Sequence, residues 1–252
     1  MAAARLPSLS FFFPAYNEKD SVEAVAREGL DVLPRFTDDL EVIVVDDGST
    51  DGTAAIADRL ATEDARVRVV HHSPNRGYGA AVRSGLSSAR KEYVFFTDGD
   101  RQFRVADVER LIPALAGAEV VVGYRRKRAD PPRRIFIAWV YNTLIRLLFG
   151  APFRDVDCAF KLYRREVFER VPLGSVRSNG AFFSPEHLLV LRAAGVRIAQ
   201  VAVPHYPRTV GEEKGASAHV VARAMRDLLR LRLRLWLLPR RDRAALDDEE
   251  RS

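Results

Sequence analysis

Tyr93-Val94-Phe95-Phe96-Thr97-Asp98-Gly99-Asp100 places an unbroken apolar run directly before two carboxylates one residue apart. Such a run, bounded by polar residues and a glycine, reads as a strand buried on both faces of a sheet. Two carboxylates at a strand end can share a hard divalent cation, Mg2+ or Mn2+, whose other positions are filled by phosphate oxygens and water. Gln102 follows and can add a carbonyl oxygen or a water-mediated contact. Asp-Gly by itself is also an ordinary turn dipeptide, so the weight of this stretch depends on its neighbours. Upstream, residues 9–13, 40–45 and 67–70 read as further buried strands, and 21–33, 53–61 and 79–89 carry apolar residues at helical spacing. Downstream, 105–115 reads as a helix and 119–122 as a strand. Strands alternating with helices specify right-handed crossovers and a mainly parallel α/β sheet, with ligands gathered at the carboxyl ends of the strands.

Two other strand ends fall at the same edge. Pro14-Ala15-Tyr16-Asn17-Glu18 closes the first, and Asp46-Asp47-Gly48-Ser49 closes the second. An aromatic ring and carboxylates there suit a base and a ribose, through stacking and hydrogen bonds to hydroxyls. Taken singly, Asp46-Asp47-Gly48 is a plain turn and Asp51 a helix cap; their coincidence beside Asp98 is what points to a nucleotide.

After Gly123 the pattern changes. A basic linker, 125–134, leads into an amphipathic run, 135–149, with basic flanks; 166–171 and 185–194 read as helices and 196–203 as a strand. Val220, Ala224, Leu228, Leu231, Leu235 and Leu238 mark one face of a last helix, and the charged tail 239–252 reads as disordered. We expect one domain over 1–238, with a nucleotide-sugar and metal half at 8–124, an acceptor half at 125–216 and an amphipathic helix at 217–238.

The 252 residues are 47% hydrophobic and 29% charged, with 40 Lys and Arg against 34 Asp and Glu, a formal net charge of +6 that suits phosphate-bearing partners. No DNA-reading motif is visible, so nucleic acid is not the expected partner. The single cysteine, Cys158, reads as a small buried residue and makes no intramolecular disulfide. No segment is apolar over the length needed to span a bilayer, and the first residues do not read as a signal peptide. A cytoplasmic protein lying on an anionic membrane surface is therefore expected, through 133–149 and 220–238, with Ile135, Phe136, Trp139, Leu144 and Leu148 as the apolar contacts. The histidines, His71, His72, His187, His205 and His219, have no metal-like spacing and are read as surface or packing residues.

Pro14-Ala15-Tyr16-Asn17-Glu18, Val45-Asp46-Asp47-Gly48-Ser49 and Asp98-Gly99-Asp100 together resemble the signature of family 2 glycosyltransferases with the GT-A fold. The rest resembles the polyprenyl-phosphate branch, the dolichyl-phosphate mannose synthases and their bacterial relatives, through Gly123-Tyr124-Arg125, Asn142, Asp155-Val156-Asp157-Cys158-Ala159-Phe160-Lys161 and Arg208-Thr209-Val210-Gly211-Glu212-Glu213-Lys214. The resemblance implies inverting transfer of a hexosyl group from GDP-mannose or UDP-glucose to a polyprenyl phosphate. Pro14, Ala15, Tyr16, Asn17, Glu18, Asp46, Asp47, Gly48, Asp98 and Gly99 would hold the donor, and Asp98, Asp100 and Gln102 the metal. Arg125, Arg208 and Lys214 would hold phosphates. Asp155 or Asp157 would orient the acceptor or take a proton, with a plain ion pair to Arg154 or Arg164 equally open. Glu186 is expected at the acceptor channel, with a helix-dipole role equally open. The chain departs from the pattern at Arg101-Gln102-Phe103, which lacks a proline, at Ala159 in place of glycine and at Glu213 in place of serine. The competing readings are a transferase acting on a sugar hydroxyl, which needs a true base, and a non-catalytic module that binds membranes. The number of copies in the active particle is open.

Overall fold

A computed structural model describes residues 5–207 and positions 226, 228, 230 and 232. Arg208, Lys214, Glu213, His219, most of the expected helix at 217–238 and the tail at 239–252 lie outside the described residues. Arg226, Leu228, Arg230 and Arg232 are helical, and Leu228 is buried.

The chain runs β1 (Leu9–Ala15), α1 (Val22–Val32), β2 (Leu40–Asp46), α2 (Thr53–Glu63), β3 (Val67–His71), α3 (Tyr78–Ser88), β4 (Tyr93–Thr97), β5 (Val120–Arg125), α4 (Pro132–Phe149), β6 (Phe160–Arg164), α5 (Val167–Arg170), α6 (Phe183–Ala193) and β7 (Ile198–Val203). The strands form one sheet of seven in the order β3-β2-β1-β4-β6-β5-β7. β1 pairs in parallel with β2 and β4, β2 with β3 and β5 with β7, whereas β6 runs antiparallel to both β4 and β5. The expected α/β architecture is therefore present, with one reversed strand that the apolar pattern did not show. Phe160-Lys161-Leu162-Tyr163-Arg164 hides as a strand because a lysine occupies a core position; Lys161 is 1% exposed.

The core gathers where β1 and β4 meet. Register places Phe11 beside Phe95 and Phe12 beside Phe96, and their rings stack with centroids 5.3 and 5.0 Å apart. Phe160 closes edge-on to Phe95 at 4.9 Å, and each such aromatic pair adds about 1 kcal/mol beyond the area it buries. This packing makes the middle strands a stiff base for the loops at their ends.

Two helical expectations need correction. Residues 105–115 form two 3-10 helices, Val105–Arg110 and Ile112–Ala116, because Pro113 has no amide hydrogen and its ring opposes the carbonyl one α-turn back. The 135–149 segment begins earlier, at Pro132 in the first turn, where a missing amide costs nothing. It is less amphipathic than expected. Tyr141, Asn142 and Ile145 face the core, Leu144 and Leu148 are half-buried against it, and the apolar side chains left outside are Ile135, Phe136, Trp139 and Leu147.

Candidate active site

The chain lays β1, β2 and β3 side by side in one direction and then returns to place β4 on the other side of β1. The order of strands reverses at the β1/β4 seam, where open α/β sheets hold ligands beyond the carboxyl ends. Pro14 to Glu18 leaves β1 there, and Asp98 to Asp100 leaves β4. The two loops touch: a Cβ on Gly99 would stand 2.9 Å from the Pro14 carbonyl oxygen, so this position accepts no side chain.

The β1 loop is stitched to the β2 loop. Asn17 sits at φ 52°, in the left-handed region that asparagine tolerates better than most residues. Its Oδ1 accepts the Thr50 amide hydrogen at 2.8 Å, and its own amide donates to Ser49 Oγ at 3.0 Å. The Glu18 amide donates to Thr53 Oγ1 at 2.9 Å, and Glu18 Oε2 accepts the Ser21 hydroxyl. Tyr16 is 40% exposed on this rim, a ring presented where a base would stack.

Asp46 and Asp47 are both buried, each on different partners. Asp46 Oδ1 accepts the Ser49 amide at 3.0 Å, and Oδ2 lies 3.1 Å from His71 Nδ1. Asp47 Oδ1 accepts the Arg76 amide and lies 2.6 Å from His72 Nδ1, while Oδ2 accepts the Gly77 amide at 2.9 Å. Asn75 Nδ2 donates to the Asp47 carbonyl, and Gly48, at φ +75°, leaves no room for a Cβ against the Asn75 amide. Asp47, expected among the donor-binding residues, is thus engaged in holding loop 75–77. That loop delivers Tyr78, the first residue of α3.

Tyr78 donates its hydroxyl to Asp98 Oδ1 at 2.9 Å. Burial and the neighbouring Asp100 charge push Asp98 up to about 7, the mark of negative charge crowded together without enough compensation. Asp100 Oδ1 accepts the Gln102 amide at 3.1 Å across Arg101, which takes φ 61°. Gln102 donates through Nε2 to the Tyr206 carbonyl, and its own carbonyl accepts the Tyr206 amide, which leaves Gln102 Oε1 outside these bonds. This donor set fits a hard divalent cation. Among the described residues no group of three or more His, Cys, Asp or Glu forms a metal centre, so such a cation would draw its remaining ligands from phosphate and water.

On the far side of Asp98 stands the segment before β6. Arg125 donates from Nε and Nη2 to the two oxygens of Asp155 at 2.6 and 2.7 Å. Burial opposes both charges, yet the pairing wins: Asp155 is held below the ordinary carboxylate value and Arg125 above the ordinary guanidinium value. The alternative ion-pair partners for Asp155, Arg154 and Arg164, are placed elsewhere: Arg154 stacks on Tyr124 and donates to its hydroxyl, and Arg164 stands over the Tyr93 ring. Asp155 is therefore committed to Arg125 and is a poor base. Asp157 differs: burial, with Asp155 close by, raises it to about 6. Asn142 Oδ1 accepts the Val156 amide at 3.0 Å, so α4 fixes this segment.

Glu186 lies in the first turn of α6, the position of the helix-dipole alternative. Its buried carboxylate accepts the Arg177 and Ser178 amides at 3.1 and 2.9 Å and so anchors the loop ahead of α6. Lys161 was assigned no role in the sequence. It donates to Ser184 Oγ at 2.9 Å, stands over the Phe96 ring, and contributes positive charge toward Asp98 and Asp157, while burial pulls its own pKa down. His71 and His72, read as packing residues, hold the Asp46-Asp47 pair. Their signal was present in the spacing: each pair begins on the last residue of its strand, at the same edge, and register sets His71 opposite Asp46.

The family model described as Glycosyl transferase family 2 matches residues 10–171. The glycosyltransferase AglD of Haloferax volcanii is 34% identical over 82% of this chain, which spans only 34% of that protein's length. The polyprenol monophosphomannose synthase of Mycolicibacterium smegmatis is 32% identical, with 82% of this chain and 80% of that protein covered. Among solved structures, glucosyl-3-phosphoglycerate synthase from Mycobacterium tuberculosis, in complex with Mn2+, UDP and glucosyl-3-phosphoglycerate, shares the fold at a TM-score of 0.67 and 21% identity, over 88% of this chain and 79% of that one.

Proposed function

The chain belongs to glycosyl transferase family 2, and from that premise we propose inverting transfer of a hexosyl group from GDP-mannose or UDP-glucose to a polyprenyl phosphate at the cytoplasmic face of a membrane. The observation that carries the proposal is the Asp98/Asp100 pair at the β1/β4 reversal, on one rim with Tyr16 and Asp46. The similarity to a polyprenol monophosphomannose synthase supports the lipid-phosphate acceptor, and the Mn2+ and UDP held by the structural neighbour are compatible with a cation that Asp98 and Asp100 would hold.

The physical obstacle is departure of a nucleoside diphosphate. A bound Mg2+ or Mn2+ would neutralise the charge that develops on it. The protein's own part is positional: Asp98, Asp100 and Gln102 would hold the cation, Tyr78 fixes the orientation of the Asp98 carboxylate, and Tyr16 and Asp46 would place the base. Arg208 and Lys214, proposed at the phosphates, lie outside the described residues. A phosphate nucleophile with a second pKa near 6 is largely dianionic at neutral pH, so it needs no strong base. Asp157, raised to about 6, is suited to taking a residual proton. The same property keeps a hydroxyl acceptor as the second reading, because that reaction depends on a base.

The acceptor's lipid tail requires a site close to a bilayer. No helix among the described residues is long and apolar enough to cross one. α4 offers Phe136 at 63%, Trp139 at 59% and Leu147 at 77% exposure, flanked by exposed Arg133 and Arg146, the composition of a helix lying in the interface. The test is transfer from a panel of nucleotide sugars to a short polyprenyl phosphate, and separately to free sugars, with Mn2+ present. Lipid-phosphate products support the proposal; products on free sugars alone would replace it with the hydroxyl reading.

A further inference from the structure

The ring of His71 lies between two carboxylates. Nδ1 is 3.1 Å from Asp46 Oδ2 and Nε2 is 2.9 Å from Asp58 Oδ1. A carboxylate only accepts, and a neutral imidazole carries a single N–H. Both contacts are hydrogen bonds only if both nitrogens are protonated. His72 makes the contrast: its Nδ1 faces Asp47, but its Nε2 faces the Ser84 hydroxyl, which can donate or accept, so its geometry demands no charge. The charged groups against the His71 ring are Asp46 from β2 and Asp58 from α2. Burial pulls His71 down, and the bonds to these two carboxylates outweigh it, so it titrates above the ordinary imidazole value. The ring side chain is 42% exposed and can exchange its proton with solvent.

Asp46 is held from two sides, by the Ser49 amide on Oδ1 and by His71 on Oδ2. A carboxylate has about four acceptor positions, so capacity remains for an N–H of a nucleobase. We propose that His71, as an imidazolium, is a positioning residue for Asp46, and that its charge sets the strength and the pH dependence of donor-base recognition. The charged ring fixes Asp46 through a charge-assisted bond, stronger than a neutral one. Loss of the ring proton turns a lone pair toward one of the two carboxylates, and the contact on that side becomes repulsive. The sign follows: the imidazolium is present below the folded-state pKa and is lost as pH rises through it, so nucleotide affinity falls in that direction. Reciprocity requires that bound nucleotide raise the His71 pKa by the same factor.

This inference rests on the nucleotide-donor proposal, and the experiment separates the two. UDP and GDP binding to the full chain with Mn2+ is measured by calorimetry from about pH 5.5 to 9, for wild type, His71→Gln and Asp58→Asn. Titration of the nucleotide phosphates is common to all three proteins and cancels in their comparison. The expected result is that wild type binds about fivefold tighter than His71→Gln at pH 6 and that the two curves meet at the alkaline end. Asp58→Asn, which keeps the imidazole in a lightly altered site, should move the midpoint to lower pH. Nitrogen NMR of the His71 ring should show both nitrogens protonated at neutral pH, with a pKa that rises by about 0.7 on binding UDP or GDP, the same fivefold factor. A constant offset between wild type and His71→Gln at every pH would make His71 merely structural and overturn the inference. So would a singly protonated ring at neutral pH. If wild type binds neither nucleotide at any pH, the donor proposal falls and takes the role of His71 with it, while the ring spectrum still decides its charge.

Discussion

At Asp98, one carboxylate answers to three neighbours at once: Asp100 repels its charge, Tyr78 donates to it and Lys161 offsets it from behind. Its raised value of about 7 means that, without a cation, the folded chain favours the protonated form only below about that pH. The linkage runs accordingly. A carboxyl raised above its unfolded value adds to stability on the acid side, and that contribution is lost as pH climbs toward 7. Cation binding displaces the proton. We therefore expect Mn2+ affinity to weaken steadily from pH 8 to pH 6, and the stabilisation by Mn2+ to be larger at pH 8; an affinity indifferent to pH, read by electron paramagnetic resonance, would contradict this. Asp98→Asn and Asp100→Asn should each lower transfer by roughly 10²–10³-fold, since each removes charge that holds the diphosphate's counter-ion. Retention of full activity in EDTA would dispose of that expectation. Tyr78→Phe should leave the fold intact and weaken Mn2+ binding by about tenfold, the usual effect of losing a partner that orients a metal ligand.

Among the elements, the strands declare themselves most clearly where apolar residues run without interruption. β1, β2 and β4 were legible from 9–13, 40–45 and 93–97 because both their faces are covered. β6 was not, because Lys161 spoils its apolar pattern while its nitrogen finds Ser184 and the face of Phe96 in the interior. Metal and donor candidates were legible because residues at the ends of neighbouring parallel strands meet whatever the loops do. The partners Arg125–Asp155 and Glu186 with the 177–178 amides were not, since each depends on a loop conformation that no periodicity encodes. The Arg125–Asp155 fork joins the end of β5 to the segment that enters β6, and both side chains are about nine-tenths buried. Asp155→Asn strands a buried guanidinium and should cost about 3–5 kcal/mol, visible as a large fall in melting temperature. A variant as stable as wild type yet slow in transfer would return Asp155 to the acceptor.

Across the whole molecule, charge and apolar surface act together. In the proposed membrane-bound state the net charge of +6 would draw the chain toward anionic headgroups, each basic residue near the surface adding about 1 kcal/mol before screening by salt. The exposed side of α4 would then supply apolar contact. Replacing Phe136, Trp139 and Leu147 by Ser should abolish co-sedimentation with acidic vesicles in high salt and leave a weakened remainder in low salt. Leu147 replaces the Leu148 expected from the spacing, because Leu148 already packs inward. Equal sedimentation of both proteins at high salt would give that face to another partner.

The reversed strand has one more consequence. β5 and β6 are antiparallel neighbours, with Val122 opposite Lys161, so the chain that departs at Arg125 comes back at Phe160 to an adjacent position in the sheet. Everything between, α4 included, is a detour from one end of a hairpin. The strands β1 to β4 would keep their own pairing if that detour were exchanged. Chimaeras spliced between relatives at these two positions, with Arg125 and Asp155 carried over together, should pass acceptor preference from one protein to another while each recipient keeps its own nucleotide.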